Sequence, residues 1–304
     1  MPNIWTHMLF TEEILASLEP LPYEQHLNVV RLGAQGPDPF FYHRFWPFLK
    51  SKGVEKVGNR LHTEDCGDFL VSLITEAKDS SLLIQSYILG FITHHLLDRN
   101  AHPYIHYRAG YEGANHQRLE VIIDTLVMKQ KKNLKTWENK VHERIDVGQR
   151  LDPDLRVLLK RVINKHYPGL TDDLPNTFVQ ESYRDMKLAL KILHDPSGWK
   201  NKLLGDMVSP YSHRPVEDNM DYLNESRKRW KHPATGEDHE ASFMELYERG
   251  IEEGISLLPL VHEYWNSENR ALLDEVKVRI GNISYDTGLH LEQGLENKYS
   301  EPIV

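Results

Sequence analysis

Apolar residues recur along most of this chain at the three- and four-residue spacing of a helix face. One such run is Leu82, Leu83, Tyr87, Ile88, Phe91 and Ile92, and another is Leu119, Ile122, Ile123, Leu126 and Val127. Strand-like alternation is scarce. The pattern predicts helices over residues 11–18, 23–33, 64–77, 80–101, 115–145, 152–166, 175–196, 217–229, 242–266 and 269–278, with less regular segments at 34–63 and 198–216. The predicted fold class is therefore all-α.

Residue types at two helix ends refine this pattern. Asn115 is a good N-cap for the helix that His116 opens, and Pro103 is expected to end or bend the preceding helix just after His102. No repeat of 20–50 residues and no low-complexity linker divides the chain. We therefore expect a single multi-helix domain over residues 1–304, with a helical extension or lid beginning near residue 197.

Composition narrows the classes of partner. The chain has 36 Lys and Arg against 45 Asp and Glu, a net charge of −9, which disfavours nucleic acid as a partner. Short basic runs at residues 129–132 and 227–232 are expected to be solvated helix faces, with contact to anionic lipid or single-stranded nucleic acid as the alternative. The longest apolar stretch, residues 82–92, is too short to cross a bilayer. The single Cys66 excludes an internal disulfide, and no secretory signal is seen, so we expect a cytoplasmic protein.

Candidate chemistry is concentrated in one region. His94 and Asp98 are spaced i,i+4, His116 and Glu120 repeat this spacing on the next helix, and His102 lies between the pairs. Imidazole and carboxylate without thiolate suit zinc, iron or manganese in hydrolytic sites. A surface network of polar residues is the alternative, but the compound pattern favours a metal site.

Two neighbouring histidines are weaker candidates. His95 points about 100° away from His94 around the helix, so it is expected to support the ligands or pack in the core. His106 competes with His102 as a ligand and ranks second.

Three segments carry a family resemblance. They are G-F-I-T-H-H-L-L-D-R-N-A-H-P at residues 90–103, H-Q-R-L-E at 116–120 and G-A-Q-G-P-D-P-F at 33–40. Together they resemble the zinc-dependent phospholipase C family, whose fold is similar to that of P1-type nucleases. The resemblance covers roughly residues 1–130 and implies an all-helical fold with a cluster of three zinc ions.

The resemblance also implies a ligand set. A first zinc would be held by Asp38, His62, His94 and Asp98, a second by His102, His116 and Glu120, and a third by Asp98 with His7. Secreted members bind the third zinc partly through an N-terminal Trp, whereas Trp5 is internal here, so we expect two or three ions. Iron or manganese remain alternatives to zinc. His102 precedes Pro103, as in broader members of the family, which favours His102 over His106.

The function implied is a zinc-dependent phosphoric ester hydrolase, a phospholipase C-like phosphodiesterase that uses a metal-activated water. Asp38 is expected to orient or deprotonate this water. The substrate would be a phosphoester small molecule or a phospholipid headgroup. One alternative is a P1-like single-strand nuclease, and another is a non-catalytic metal-binding scaffold whose ion has every coordination position filled by protein.

An aromatic run at residues 39–48 follows Asp38 directly. Phe40, Phe41 and Tyr42 are predicted to line a headgroup or acyl pocket, and Arg44 is predicted to meet phosphate. Core packing is the alternative for these rings, and some of them can do both.

Overall fold

A computed structural model describes residues 3–18, 21–46, 49 and 53–304. Its helices are α1 (Ile4–Ser17), α2 (Leu27–Gly33), α3 (Glu55–Thr63), α4 (Cys66–Ala77), α5 (Leu82–Ala109), α6 (Asn115–Lys132), α7 (Pro153–His166), α8 (Phe178–Leu193), α9 (Trp199–Leu204), α10 (Phe243–Asn266) and α11 (Ala271–Ile280). Two strands of two residues each, β1 (Trp230–Lys231) and β2 (Asp238–His239), pair antiparallel, with Trp230 opposite His239. The predicted all-α class is confirmed.

Helix α5 lies at the centre and packs against α1, α2, α4, α6 and α10. Its residues are almost all buried, which explains why it is apolar around most of its circumference. Arg99 of α5 donates to Glu253 of α10 at 2.6 Å, so an ion pair adds to the apolar contact between these helices. Because α10 packs on both α5 and α1, it belongs to the same helical core. One domain with a C-terminal lid stays a prediction.

Local chemistry explains several helix ends. Asp152 accepts from the backbone of Asp154 and Leu155 at the start of α7, with Pro153 in the first helical position. Ser242 and Glu245 form a capping box at the start of α10. These caps satisfy N–H groups that have no partner within the helix.

Several boundary predictions were wrong. Helix α5 continues through Pro103 to Ala109, because buried packing outweighs the loss of one helical hydrogen bond. Helix α6 begins at Asn115, with Ala114 rather than Asn115 as its N-cap, and ends at Lys132, where Asn133 adopts a left-handed conformation. Two short 3-10 turns, Thr136–Glu138 and Val141–Glu143, replace the rest of the predicted 115–145 helix.

The helix predicted over residues 217–229 was also wrong. Asp221 accepts from the backbone of Glu225 and Ser226, and Asn224 and Arg227 have positive φ values of 54° and 52°. Side-chain capping of this kind competes with helix formation and stabilises a loop. At the other end of the chain, α1 begins at Ile4 rather than near residue 11. The segment predicted as irregular at 34–63 contains the 3-10 helix Asp38–Tyr42 and α3.

Candidate metal centre

One face of α5 presents four polar side chains at successive helical turns. His94, Asp98, His102 and His106 are each four residues apart, so they lie in a row. The first three are at most 1% exposed. A row of buried polar groups is costly unless partners compensate, so their surroundings decide what they do.

Asp38 and His62 reach this row from two other elements. Asp38 opens the 3-10 helix Asp38–Tyr42, and its Oδ1 lies 3.6 Å from Nε2 of His94 and 3.7 Å from Nε2 of His62. Gly36 allows the backbone before Asp38 to approach His94 closely. Its φ is +49°, and a Cβ there would stand 2.3 Å from the His94 ring. Asp38, His62 and His94 therefore form one group with a shared centre.

Asp98 connects that group to the start of the chain. Its Oδ1 lies 3.3 Å from Nε2 of His7 and its Oδ2 lies 3.0 Å from Nε2 of His94, and the rings of His7 and His94 stack at 4.1 Å. Asp124 of α6 holds the first turn of α1 by accepting from the backbone of Trp5 at 3.1 Å and of Thr6 at 2.7 Å. This anchor fixes the position of His7.

A further set of side chains lies around His102. His116 Nε2 and Glu120 Oε1 are 2.6 Å apart, and the His116 ring is 5.6 Å from that of His102. The His106 ring lies 4.7 Å from that of His116 and 5.5 Å from that of His102. The ligand atoms of His102, His116 and Glu120 lie within 4.8 Å of one another.

Most separations in the cluster, 3.3–3.8 Å, fit shared metal ions better than hydrogen bonds, whereas the 2.6 Å between His116 and Glu120 is a hydrogen-bond distance. Two ligands about 2.1 Å from a tetrahedral zinc stand roughly 3.4 Å apart. Among the described residues, the Nε2 of His94, both oxygens of Asp98 and both nitrogens of His7 have no hydrogen-bond partner. Buried polar atoms of native proteins are nearly always paired, so this concentration of unpaired atoms indicates that cations complete the site.

The backbone orients two of the imidazoles toward the centre. Nδ1 of His94 bonds to the carbonyl of Ala34 at 3.0 Å, and Nδ1 of His62 bonds to the carbonyl of Gly58 at 2.7 Å. An imidazole whose Nδ1–H donates to a carbonyl has its Nε2 lone pair available for a metal, which is the usual support for a histidine ligand.

Comparison with known proteins gives one match. The family model described as zinc-dependent phospholipase C matches residues 6–168, more than half of the chain. The chain belongs to the zinc-dependent phospholipase C family. No curated protein and no solved structure matches it. The predicted family is thereby confirmed, and with the His/Asp groups it supports zinc binding and a phosphoesterase activity.

Burial sets the protonation of the phospholipase C-like site. Burial lowers the pKa of His7 to about 4 and that of His102 to about 3, so both imidazoles are neutral near pH 7. Burial also raises the pKa of Asp38 to about 7, although nearby His94 acts in the opposite direction. For His94, burial alone lowers the pKa, but Asp98 and Asp38 outweigh it and the pKa is raised.

The residues predicted to contact substrate occupy different environments. Phe40 is 5% exposed and packs on Phe178, which agrees with the alternative of core packing. Phe41 is 37% exposed, and its ring lies 5.5 Å from that of His62, at the edge of the site. Tyr42 is half-buried against the core, and the backbone N–H of Arg44 donates to Asp185 at 2.9 Å. Substrate contact by these residues stays a prediction.

The structure adds residues that the sequence analysis missed. Tyr285 is fully buried, with its ring 5.0 Å from that of His62 and 4.5 Å from that of His95. Asp286 joins His102 and His106 in a fourth group with ligand geometry. His95 itself donates from Nε2 to the carbonyl of Ile283 at 2.9 Å, as expected for a supporting residue. Neither Tyr285 nor Asp286 stands at a helical spacing from any histidine of the site, so no sequence signal marked them.

No helix in the described ranges combines the length and the apolar character needed to cross a membrane.

Proposed function

We propose that this protein is a metal-dependent phosphodiesterase of the phospholipase C type, acting on a phosphoester small molecule or a phospholipid headgroup. The observation that carries the proposal is the buried cluster around Asp98. The Nε2 atoms of His7, His94 and His102 lie 3.0–3.5 Å from its carboxylate oxygens, and none of these atoms has a hydrogen-bond partner among the described residues. Family membership over residues 6–168 supports the same chemistry.

The residues fit two or three zinc ions, with iron or manganese as alternatives. Asp38, His62, His94 and Asp98 would hold the first, His102, His116 and Glu120 the second, and His7 with Asp98 the third. When bound, zinc supplies Lewis acidity that activates water and offsets negative charge on phosphate.

Asp38 is proposed as the residue that orients the attacking water and accepts its proton. Its Oδ1 faces the cluster, 3.6 Å from Nε2 of His94 and 3.7 Å from Nε2 of His62, so the carboxylate lies beside the position where zinc would activate a water. Phe41 is proposed to contact the substrate at the edge of the site, because its ring is exposed beside His62.

The proposal is tested by elemental analysis together with hydrolysis of a generic phosphodiester, of phosphatidylcholine and of a single-stranded oligonucleotide, before and after chelation. Two or three equivalents of zinc and chelator-sensitive cleavage of an ester are expected. Cleavage of the oligonucleotide alone would indicate a nuclease instead. Stoichiometric metal without turnover would favour a scaffold, and absence of metal would contradict the proposal.

The variant Asp98→Asn provides a sharper version of this test. Asp98 is fully buried and faces four imidazoles, so the loss of its charge should lower metal content by at least one equivalent and turnover by more than about 100-fold. Asp274→Asn is the matched control, since that side chain is 79% exposed on α11. Unchanged metal content and turnover in Asp98→Asn would refute this role.

A further inference from the structure

A tight turn after α11 lies directly on the metal centre. It runs from Ile283 to His290, which form an isolated antiparallel bridge. The N–H of Ser284 donates to Leu289 at 2.9 Å, and the N–H of Gly288 donates back to Ser284 at 3.0 Å. This turn lies well beyond residues 6–168, the part of the chain that the family model covers.

The turn is attached on both sides of the site. The N–H of Tyr285 donates to the carbonyl of His62 at 3.1 Å, which joins the turn to α3. Gly288 contacts α5 so closely that a Cβ there would stand 2.3 Å from the carbonyl oxygen of Arg99. Helical geometry would pair that carbonyl with the residue four positions later, but this residue is Pro103, which has no N–H. The helix thus leaves room for the turn at the one place where its own hydrogen bond is missing.

These attachments bring the carboxylate of Asp286 to two histidines of α5. Its Oδ1 lies 3.5 Å from Nδ1 of His102 and 3.7 Å from Nε2 of His106. Within the described chain, both nitrogens of each histidine lack a hydrogen-bond partner, and His102 is 1% exposed. The three ligand atoms lie within 4.8 Å of one another.

The distances distinguish a ligand from a hydrogen-bond acceptor. A carboxylate that accepts from an imidazole stands about 2.7–2.9 Å away. Two ligands of one tetrahedral ion stand roughly 3.4 Å apart, close to the separations seen here. A carboxylate between two unpaired imidazoles therefore has the spacing of a metal site.

We propose that Asp286 is a protein ligand of a metal ion that it shares with His102 and His106, in a group that overlaps the group of His102, His116 and Glu120 only at His102. This inference rests on the proposed function, because it assumes that the His/Asp cluster binds metal. It adds a carboxylate from the C-terminal part of the chain to a ligand set that the resemblance drew entirely from the first 120 residues. His106, ranked below His102 by sequence, would then bind alongside it.

The first test is metal binding by Asp286→Asn, which preserves size and removes the charge. Zinc per chain is measured by elemental analysis, and zinc affinity by competition with a chromophoric chelator. We expect one ion to be lost or bound at least about tenfold more weakly, with the other ions unaffected. Glu296→Gln is the control, since it changes an exposed carboxylate in the same C-terminal segment and should bind zinc as the wild type does.

Direct ligation is tested with Asp286→Cys loaded with Co²⁺. A thiolate ligand to cobalt gives a sulfur-to-metal charge-transfer absorption in the near ultraviolet, and the native Cys66 is fully buried in α4. The band is expected in Asp286→Cys and not in the wild type. Weakened zinc binding in Asp286→Asn without the cobalt band in Asp286→Cys would overturn ligation and leave Asp286 as a residue that positions His102.

The outcomes separate this inference from the proposed function. Equal zinc content and affinity in the wild type and in Asp286→Asn would overturn the role of Asp286 and leave the proposed function standing. A wild type that binds no metal would overturn both. Thermal unfolding of the metal-free variants, monitored by circular dichroism, checks that each variant is folded before its metal content is compared.

Discussion

Asp38 and His94 face each other in the metal centre, and both have a raised pKa. Asp38 titrates near pH 7 because it is buried, and the pKa of His94 is raised by Asp98 and Asp38. A proton on either group must leave before a cation binds. His7 and His102, whose pKa values are about 4 and 3, do not compete for protons in this range.

Zinc affinity should therefore fall as the pH drops below about 7. Below that pH Asp38 is protonated in the metal-free protein, so metal binding must release its proton, whereas well above it Asp38 is already ionised. The pKa of His94 is raised by Asp98 and Asp38, which adds to the competition between protons and metal. The expected slope is up to about tenfold in affinity per pH unit for each proton released. Chelator competition at several pH values between about 6 and 8 measures it. An affinity that stays constant across this range would contradict the assignment of these pKa shifts.

The residues of the site differ in how far sequence predicts them. His94, Asp98, His116 and Glu120 follow from i,i+4 spacing, because this relation is local and survives in any helix. Asp38, His62 and His7 required a family resemblance, since loops and other helices bring them in. Asp286 had neither signal. The structure brings all of these together, and their binding of metal remains a prediction.

At the scale of elements, the contact between α2 and α5 sets the relative position of Asp38 and His94, two of the residues proposed for the first metal site. A Cβ added to Gly33 would stand 2.0 Å from the carbonyl of Tyr87, and one added to Gly90 would stand 2.1 Å from the carbonyl of Val30. The two backbones are therefore in contact, and only glycine fits at either position. Because α2 leads to Asp38 and α5 carries His94, this contact sets the distance between those side chains.

Gly90→Ala should push the two helices apart. We expect a loss of at least roughly 1–3 kcal/mol in the free energy of unfolding, together with weaker zinc binding. Chemical denaturation and chelator competition measure the two effects. Ser256→Ala, at an exposed position of α10, is the control and should change neither. Wild-type stability in Gly90→Ala would show that the helices can separate without cost.

Element prediction succeeded where the apolar pattern was long and failed where local chemistry intervened. The buried faces of α4 and α10 left a clear helical period, and the long apolar stretch of α5 marked that helix although it is buried on most sides. In contrast, residues 217–229 have the composition of a helix, but Asp221 captures backbone N–H groups and holds a loop. At Pro103 the error was the opposite one. The sequence predicted a helix end or bend there, whereas tertiary packing continues α5 to Ala109.

At the scale of the whole molecule, the last residues return to the central helix. The N–H of Glu301 donates to Tyr107 at 2.7 Å and the N–H of Ile303 donates to Arg108 at 2.9 Å. The guanidinium of Arg108 also meets Glu301 at 3.0 Å. These contacts hold the end of α5 that carries His106.

Deletion of residues 298–304 should destabilise the protein by roughly 1–3 kcal/mol, because several hydrogen bonds to α5 are lost together. Differential scanning calorimetry checks this as a lower Tm. Glu301→Gln is the control: it keeps the backbone bonds and weakens only a partly exposed ion pair, so its effect should stay below about 1 kcal/mol. Equal stability of the deletion and the control would contradict a structural role for this segment.

Tyr285 covers His62, His94 and His95, although almost the whole chain separates it from His7. During synthesis, therefore, the histidines of α1, α3 and α5 leave the ribosome long before the residue that covers them. Contacts between such distant parts of a chain form slowly. The helical core can form early, but the histidine cluster reaches its buried form only after synthesis has passed Tyr285, so we expect a metal bound there to be enclosed only once the C-terminal part of the chain has been made.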